Sequence, residues 1–302
     1  MGLIMRRFIG ACIVSIFIVF AGVGGAFAFT EVLSFGDSLS DNGQYYAVPT
    51  YGVAGNDNPY DQFGFRRFSN GQVWVEYLAQ SMGASLLDMA YGGATTGMNN
   101  PAAGLSTTGL QWQVGAYSAY FGQVSDNTLI TMSAGGNDMF NYASNPTLYN
   151  PVNAAANIAG QIQTLIGMGG DNFLVMNLSP SQQNADAQLW MYYFNTALDA
   201  QLAALRVLNP NANIWLLDMR NFVADVDIYD STWLANCAAN PDACTGTTYA
   251  WWDTVGVHPT TEVHQQIADY AMATVAPVPE PATMILVLTG LAGLAGVRRK
   301  KK

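Results

Sequence analysis

Positive charge is almost missing from most of this 302-residue chain. Between residues 30 and 278 there are four arginines and no lysine, against 20 carboxylates, so that stretch has a net charge of −16. The other seven cations lie in the two terminal segments. A surface of this kind repels phosphate backbones and anionic headgroups, which argues against a nucleic-acid-binding function.

Histidine and cysteine are also scarce, with two histidines and three cysteines in the whole chain. The histidines are His258 and His264, and the only cysteines beyond the N-terminal segment are Cys237 and Cys244. No cluster of these residue types has a recognisable ligand spacing, so the sequence predicts no metal site.

The N-terminal residues 1–28 have the pattern of a secretory signal peptide. Arg6 and Arg7 precede an apolar run, and small residues spaced as Ala26-x-Ala28 follow it. This order predicts export with cleavage after Ala28. An uncleaved membrane anchor is the alternative, which the small-residue site disfavours. In an exported protein, Cys237 and Cys244, seven positions apart in one loop, favour a local disulfide.

Residues 277–302 form a second terminal segment with a Pro-Glu-Pro start, an apolar stretch at 282–297 and a basic tail. Sixteen residues in a helix reach only about 24 Å, short of a hydrocarbon core of about 30 Å, so residues 282–297 predict a marginal, transient membrane association. A plain membrane tail is one interpretation. The three parts together resemble a PEP-CTERM sorting signal, which implies processing by an exosortase-type enzyme. The expected location is then the periplasm, cell surface or extracellular matrix of a Gram-negative bacterium.

Residues 29–276 are predicted to be one α/β domain, because short apolar segments alternate with helical patterns. Glycines and polar residues end the apolar segments, as expected for buried parallel strands covered by helices on both faces. The predicted strands are 32–35, 85–87, 128–132, 173–176 and 214–217, and the predicted helices are 152–166, 187–208 and 260–273. Residues 43–70 show no clear periodicity and are interpreted as a surface excursion, a lid or a substrate wall.

Ser38 lies directly after the first predicted strand, within the block Phe-Gly-Asp-Ser-Leu-Ser-Asp at residues 35–41. A serine there can present its hydroxyl at the carboxyl edge of the sheet, where ligands bind in such folds. A lone Gly-Asp-Ser would more often be an ordinary turn. Three further segments change that interpretation.

Glycine-rich turns follow the second and third predicted strands. Gly92 and Gly93 follow the second, and the block Gly-Gly-Asn-Asp at 135–138 follows the third. Their backbone amides, with the Asn137 side chain, are suited to stabilising an oxyanion. A final loop carries Asp253 and His258, a carboxylate and an imidazole.

These four segments, in this order, resemble the SGNH/GDSL hydrolases, particularly the lipase and esterase branch. The resemblance runs from Val32 to Tyr270 and implies a three-layer flavodoxin-like fold without metal or organic cofactor. It further implies that Ser38 is the nucleophile and His258 its base, oriented by Asp253. The implied oxyanion hole consists of the Ser38 amide, Gly93 and Asn137, where the adjacent Gly92 is the alternative to Gly93.

The last block departs from the family pattern, which spaces its acid and histidine as Asp-x-x-His. Val255 stands three residues before His258, and the only nearby acid is Asp253, five residues before it. A longer loop containing Gly256 can still bring the carboxylate to the ring, or a backbone carbonyl orients His258 instead. The triad chemistry tolerates either, since the third member orients the base without taking its proton.

These features are compatible with two alternative functions from different classes. The first is an exported serine ester hydrolase, acting on lipid or short-chain esters or on O-acetyl groups of exopolysaccharide. The second is a non-catalytic surface or matrix-binding module that retains the fold, which only the unusual Asp253–His258 spacing favours.

Overall fold

The computed structural model describes residues 29–44, 66–102, 106–179, 185–222 and 257–276. Phe29–Val275 forms one compact unit. Several sequence predictions lie outside the described residues: the signal peptide at 1–28, the sorting segment at 277–302, Asp253, Cys237 and Cys244. These remain predictions.

The centre of the domain is a five-stranded parallel sheet in the order β2-β1-β3-β4-β5. Its strands, each rich in apolar residues, are β1 (Glu31–Gly36), β2 (Ser85–Asp88), β3 (Thr128–Ser133), β4 (Asn172–Met176) and β5 (Asn213–Leu217). All five lie within one residue of the predicted bounds at each end. The order is the flavodoxin-like one, whose switch point lies between β1 and β3.

Helices cover both faces of this sheet. They are α1 (Trp74–Met82), α2 (Leu110–Phe121), α3 (Gly136–Asn141), α4 (Pro151–Gly167), α5 (Ala185–Leu208) and α6 (Thr261–Val275). Helices α2, α4 and α5 pack on one face, and α1 packs with α6 on the other. This arrangement confirms the predicted three-layer α/β class.

The two faces of each strand are buried against different helices because successive side chains alternate. Leu33 and Phe35 of β1 belong to the larger core, with Ile158 of α4 and Phe194 of α5. Val32 is equally buried and points to the opposite face. Both faces being covered explains why the strands read as continuous apolar runs.

Helices α1, α2 and α3 were absent from the sequence-based prediction. Helix α1 is held by a capping arrangement in which the Val73 N–H donates to the Glu76 carboxylate at 2.9 Å, and it ends at Gly83 in the left-handed region. Arg67 forms a two-point ion pair with Glu76. Within the described ranges, no helix combines the length and apolarity that crossing a bilayer requires.

Candidate active site

Ser38 lies in the tight turn that leaves β1 at the carboxyl edge of the sheet. The Asp37 N–H donates to the Ser133 carbonyl of β3 at 3.1 Å, and the Leu39 N–H donates to the Asp37 carboxylate at 3.1 Å. A Cβ at Gly36 would lie 2.5 Å from the Ser133 oxygen, so this close approach of β1 to β3 requires glycine. The serine is thereby held on a rigid turn at the switch point of the fold.

Gln113 of α2 clamps the last residue of β1 from the side. Its Oε1 accepts the Gly36 N–H at 2.9 Å, and its Nε2 donates to the Gly36 carbonyl at 2.8 Å. The side chain is fully buried. Both backbone groups of the residue two positions before Ser38 are therefore satisfied by one side chain, which the sequence did not reveal.

His258 approaches the same turn from the last loop. Its Nε2 lies 2.8 Å from the Ser38 Oγ, a hydrogen-bond distance, although the two residues are 220 positions apart. This is the distance at which an imidazole can take a hydroxyl proton. The structure thus brings together the two residues predicted as nucleophile and base.

The glycine turn after β2 is tied to the nucleophile turn through a buried carboxylate. Asp41 accepts the Gly92 N–H at 2.8 Å, and its other oxygen accepts the Gly43 N–H at 2.8 Å. Gly93 has φ +83, and a Cβ there would lie 2.6 Å from Asn100 Oδ1, so the turn requires glycine at that position. Because the Gly92 amide is engaged by Asp41, the geometry supports Gly93 as the oxyanion donor.

Asn137 lies at the start of α3, immediately after β3. Its Nδ2 donates to the Ala94 carbonyl at 3.0 Å, which places the side-chain amide against the residue following Gly93. An amide nitrogen carries two hydrogens, so one such contact leaves a second donor. The predicted oxyanion residues Gly93 and Asn137 therefore belong to one connected edge of the site.

Two buried carboxyl groups lie beside these turns. Burial raises the pKa of Asp37 to about 7, partly offset by the Leu39 N–H and reinforced by the charge of Asp138. Burial likewise raises the pKa of Asp138 to about 6, although Thr96 donates to it from both its N–H and its hydroxyl. A proton at neutral pH therefore resides in part on the residue next to the nucleophile.

His264 is fully buried in α6. Its Nδ1 accepts the Trp74 N–H at 3.2 Å, at the start of α1. Burial, with the nearby charge of His258, lowers its pKa to about 3, so the ring is neutral. Replacing it with alanine is therefore expected to cost stability, because the Trp74 N–H would lose its partner.

Residues 45–65 of the predicted surface excursion at 43–70 lie outside the described residues, so its interpretation as a lid or a substrate wall remains a prediction. At its end, Phe68, Ser69 and Asn70 are buried against the His258 loop and the start of α6. Their contacts bridge about 190 positions and leave no local pattern, so sequence reasoning missed them. Within residues 29–44, 66–102, 106–179, 185–222 and 257–276, no group of three His, Cys, Asp or Glu residues is placed to hold a metal ion.

Comparison with protein families gives two matches along the chain. The model of the GDSL-like lipase/acylhydrolase family matches residues 32–271, and that of the PEP-CTERM protein-sorting motif matches residues 277–300. The first match covers all the described elements of the site. The sorting motif indicates export to the cell surface or beyond in a Gram-negative bacterium.

The chain is also similar to individual proteins. The chain is 29% identical to the thermolabile hemolysin of Vibrio parahaemolyticus over 280 residues, covering 79% of this chain and 62% of the hemolysin. It is 25% identical to a GDSL esterase/lipase of Arabidopsis thaliana over 264 residues, covering 66% of this chain and 68% of that protein. The chain thus spans about two thirds of the length of these curated relatives. The crystal structure of TesA is similar with a TM-score of 0.44 and 15% identity, covering 82% of this chain and 98% of that one.

Proposed function

The chain belongs to the GDSL-like lipase/acylhydrolase family of ester-bond hydrolases, and on that premise we propose that Ser38 and His258 hydrolyse acyl esters through an acyl-enzyme. The observation that carries the proposal is the 2.8 Å distance between the Ser38 Oγ and the His258 Nε2. A non-catalytic matrix-binding module would have no use for this contact. The geometry therefore favours the enzyme over the binding module.

In the acylation step, the Ser38 Oγ attacks the carbonyl carbon of the ester while the His258 Nε2 takes the hydroxyl proton. The carbonyl oxygen becomes an oxyanion, for which the amides of Ser38 and Gly93 and the Asn137 side chain are the proposed donors. Collapse of the tetrahedral intermediate breaks the bond to the alcohol oxygen, which takes the proton back from His258. An acyl group then remains on Ser38.

Deacylation repeats the sequence with water. His258 takes a proton from the water as its oxygen attacks the acyl carbon, and the same donors stabilise the second oxyanion. The Ser38 oxygen leaves and recovers its proton from His258, which releases the carboxylic acid. Atoms and charge balance over the two steps without a cofactor.

O-acetyl groups of the cell's own exopolysaccharide are the proposed natural substrate. The sorting motif directs the protein to the cell surface or beyond, where such polysaccharides lie. The net charge of −16 over residues 30–278 disfavours esters on anionic membranes. Short-chain and lipid esters are the other members of the proposed substrate class.

The test is a panel of nitrophenyl esters of increasing acyl length and acetylated polysaccharides, assayed on the purified protein. We expect Ser38→Ala and His258→Ala each to lower kcat by about 10³-fold or more, and the double variant to lose little beyond that, because the two residues act as a unit. A chelator should leave the rate unchanged. Wild-type turnover in Ser38→Ala, or activity lost to chelator and restored by a divalent cation, would overturn the assignment.

A further inference from the structure

Residues 68–72 contact the chain at His258 and the residues that follow it. Phe68, Ser69 and Asn70 in this segment are buried, and none of them belongs to the proposed catalytic set. Each contacts the final loop or the helix that follows it. These contacts are all made with His258 or with residues within three positions of it.

Ser69 holds the residue that follows His258. Its fully buried hydroxyl donates to the Pro259 carbonyl at 2.9 Å. Since proline has a fixed φ, anchoring its carbonyl restricts the backbone on which the imidazole stands. A single hydroxyl thus fixes the backbone one residue from the base.

Asn70 holds the start of the helix after that loop. Its Oδ1 accepts the Thr261 N–H at 2.8 Å, satisfying one of the free donors at the first turn of α6. The Thr261 hydroxyl also donates to the Gln72 carbonyl at 2.9 Å. The backbone is consequently held one residue and three residues beyond His258.

Phe68 touches the imidazole itself. The two ring centroids lie 5.2 Å apart, with an angle of 30° between the ring planes. The edge of the same phenyl ring rests on Gly92, where a Cβ would lie 2.2 Å from the Phe68 Cε2. The phenyl ring therefore fills the space between the base and the turn that carries Gly93.

From these contacts we propose that Phe68, Ser69 and Asn70 are positioning residues that hold the His258 imidazole at its productive distance from Ser38. The proposal rests on the proposed function of Ser38 and His258. A displacement of about 1 Å in a catalytic group can lower turnover by about a hundredfold. Positioning by this segment adds to any orientation of the imidazole that Asp253, five residues before His258 in the sequence, provides.

Ser69→Ala is the sharpest test, because it removes one hydroxyl and adds no bulk. We expect kcat, measured per active site titrated with a phosphonate that labels Ser38, to fall at least about tenfold while KM stays within about twofold. The rate of phosphonate labelling of Ser38 should fall in parallel, since it needs the base but not the natural substrate. A merely structural role would lower the titrated fraction and Tm and leave kcat per site unchanged.

Asn70 offers a rescue experiment. Asn70→Ala removes the acceptor and should lower kcat per site at least about tenfold, whereas Asn70→Asp retains an acceptor for the Thr261 N–H and should recover to within about threefold of wild type. Thr128→Val is the matched control for these variants. It removes the hydrogen bond from the buried Thr128 hydroxyl to the Glu31 carboxylate, at the opposite end of the sheet from the site. It should keep wild-type kcat. If Asn70→Ala does not fold, Ser69→Ala decides.

Different outcomes would overturn the positioning role and the catalytic pair. If Ser38→Ala and His258→Ala abolish turnover while Ser69→Ala and Asn70→Ala keep wild-type kcat per site, the positioning role is wrong and the catalytic pair stands. If Ser38→Ala retains wild-type turnover, the catalytic pair is wrong and the positioning role falls with it. Equal loss in Asn70→Ala and Asn70→Asp would also overturn the role given to its acceptor.

Discussion

The Asp37 side chain shapes the nucleophile turn, because its carboxylate accepts the Leu39 N–H, and it is also buried. Its pKa is about 7 in the folded protein against a usual value of 3.8. Between about pH 4 and pH 7 the Asp37 carboxyl group therefore binds more protons in the folded state than in the unfolded state, whereas buried His264 binds fewer below about pH 6.5. The contribution of Asp37 to the free energy of unfolding consequently falls as pH rises through that window.

Asp37→Asn should remove this pH dependence, because an amide oxygen can still accept the Leu39 N–H but does not ionise. At pH 8 we expect the variant to be more stable than wild type, by up to about 4 kcal/mol, since one pKa unit corresponds to about 1.4 kcal/mol. Thermal unfolding at pH 5 and pH 8 measures the effect. Asp126→Asn, at an exposed carboxylate, is the control, and identical pH slopes in the two variants would contradict the prediction.

Asp253 remains the predicted third member of the catalytic group, although it lies outside the described residues. If it orients His258, Asp253→Asn should lower kcat at least about a hundredfold, near 2.7 kcal/mol of transition-state stabilisation. A kcat measurement beside Ser38→Ala decides the point. A fall of less than about threefold would leave a Ser38–His258 pair oriented by backbone and by the packing around Phe68.

Among the elements, α2 has an unexpected connection to the site, because its Gln113 satisfies both backbone groups of Gly36. Gln113→Leu should lower the free energy of unfolding by about 1–3 kcal/mol, since the buried Gly36 N–H would lose its partner while the Gly36 carbonyl would still accept the Tyr91 N–H. It should also lower kcat by loosening the turn before Ser38. Chemical unfolding and esterase assays measure both. Gln111→Leu, at an exposed position of the same helix, should change neither by much.

The strands were predictable because both faces of a parallel sheet are buried, which produces continuous apolar runs ended by glycine. Helices α4, α5 and α6 were predictable from their length and apolar spacing. Helix α1 was not, since its nine residues mix aromatic, β-branched and acidic side chains and are stabilised by burial against α6. Helix α2 carries Gly115 in its interior, which weakens the helical pattern.

The residues of the site also fall into those that the sequence predicted and those that it did not. Ser38, Gly93, Asn137 and His258 stand in short blocks whose order along the chain indicates their chemistry. Their supports do not: Gln113 acts from a helix 77 positions away, and Ser69 from a segment 190 positions away. Contacts of this separation arise only when the chain has folded, so a single sequence carries no local sign of them.

At the scale of the whole molecule, the excess of acidic residues over residues 30–278 is expected to weaken the binding of anionic substrates. At about 10 mM salt the Debye length is about 30 Å, and at 150 mM it is about 8 Å, so repulsion of an anionic substrate weakens as salt is added. We expect kcat/KM for an anionic acetylated polysaccharide to rise at least about threefold over that range. Nitrophenyl acetate, which is neutral, is the control and should show no such change. Equal responses of the two substrates would contradict the prediction.

The 220-residue separation of Ser38 and His258 also sets when the protein can act. The base lies just before α6, which packs against α1. Contacts between residues this far apart in the chain form slowly, as does an all-parallel sheet. A nascent chain emerging from the export channel therefore has its nucleophile without its base. We therefore expect no ester hydrolysis until residues 257–276 have left the export channel and packed onto the rest of the domain.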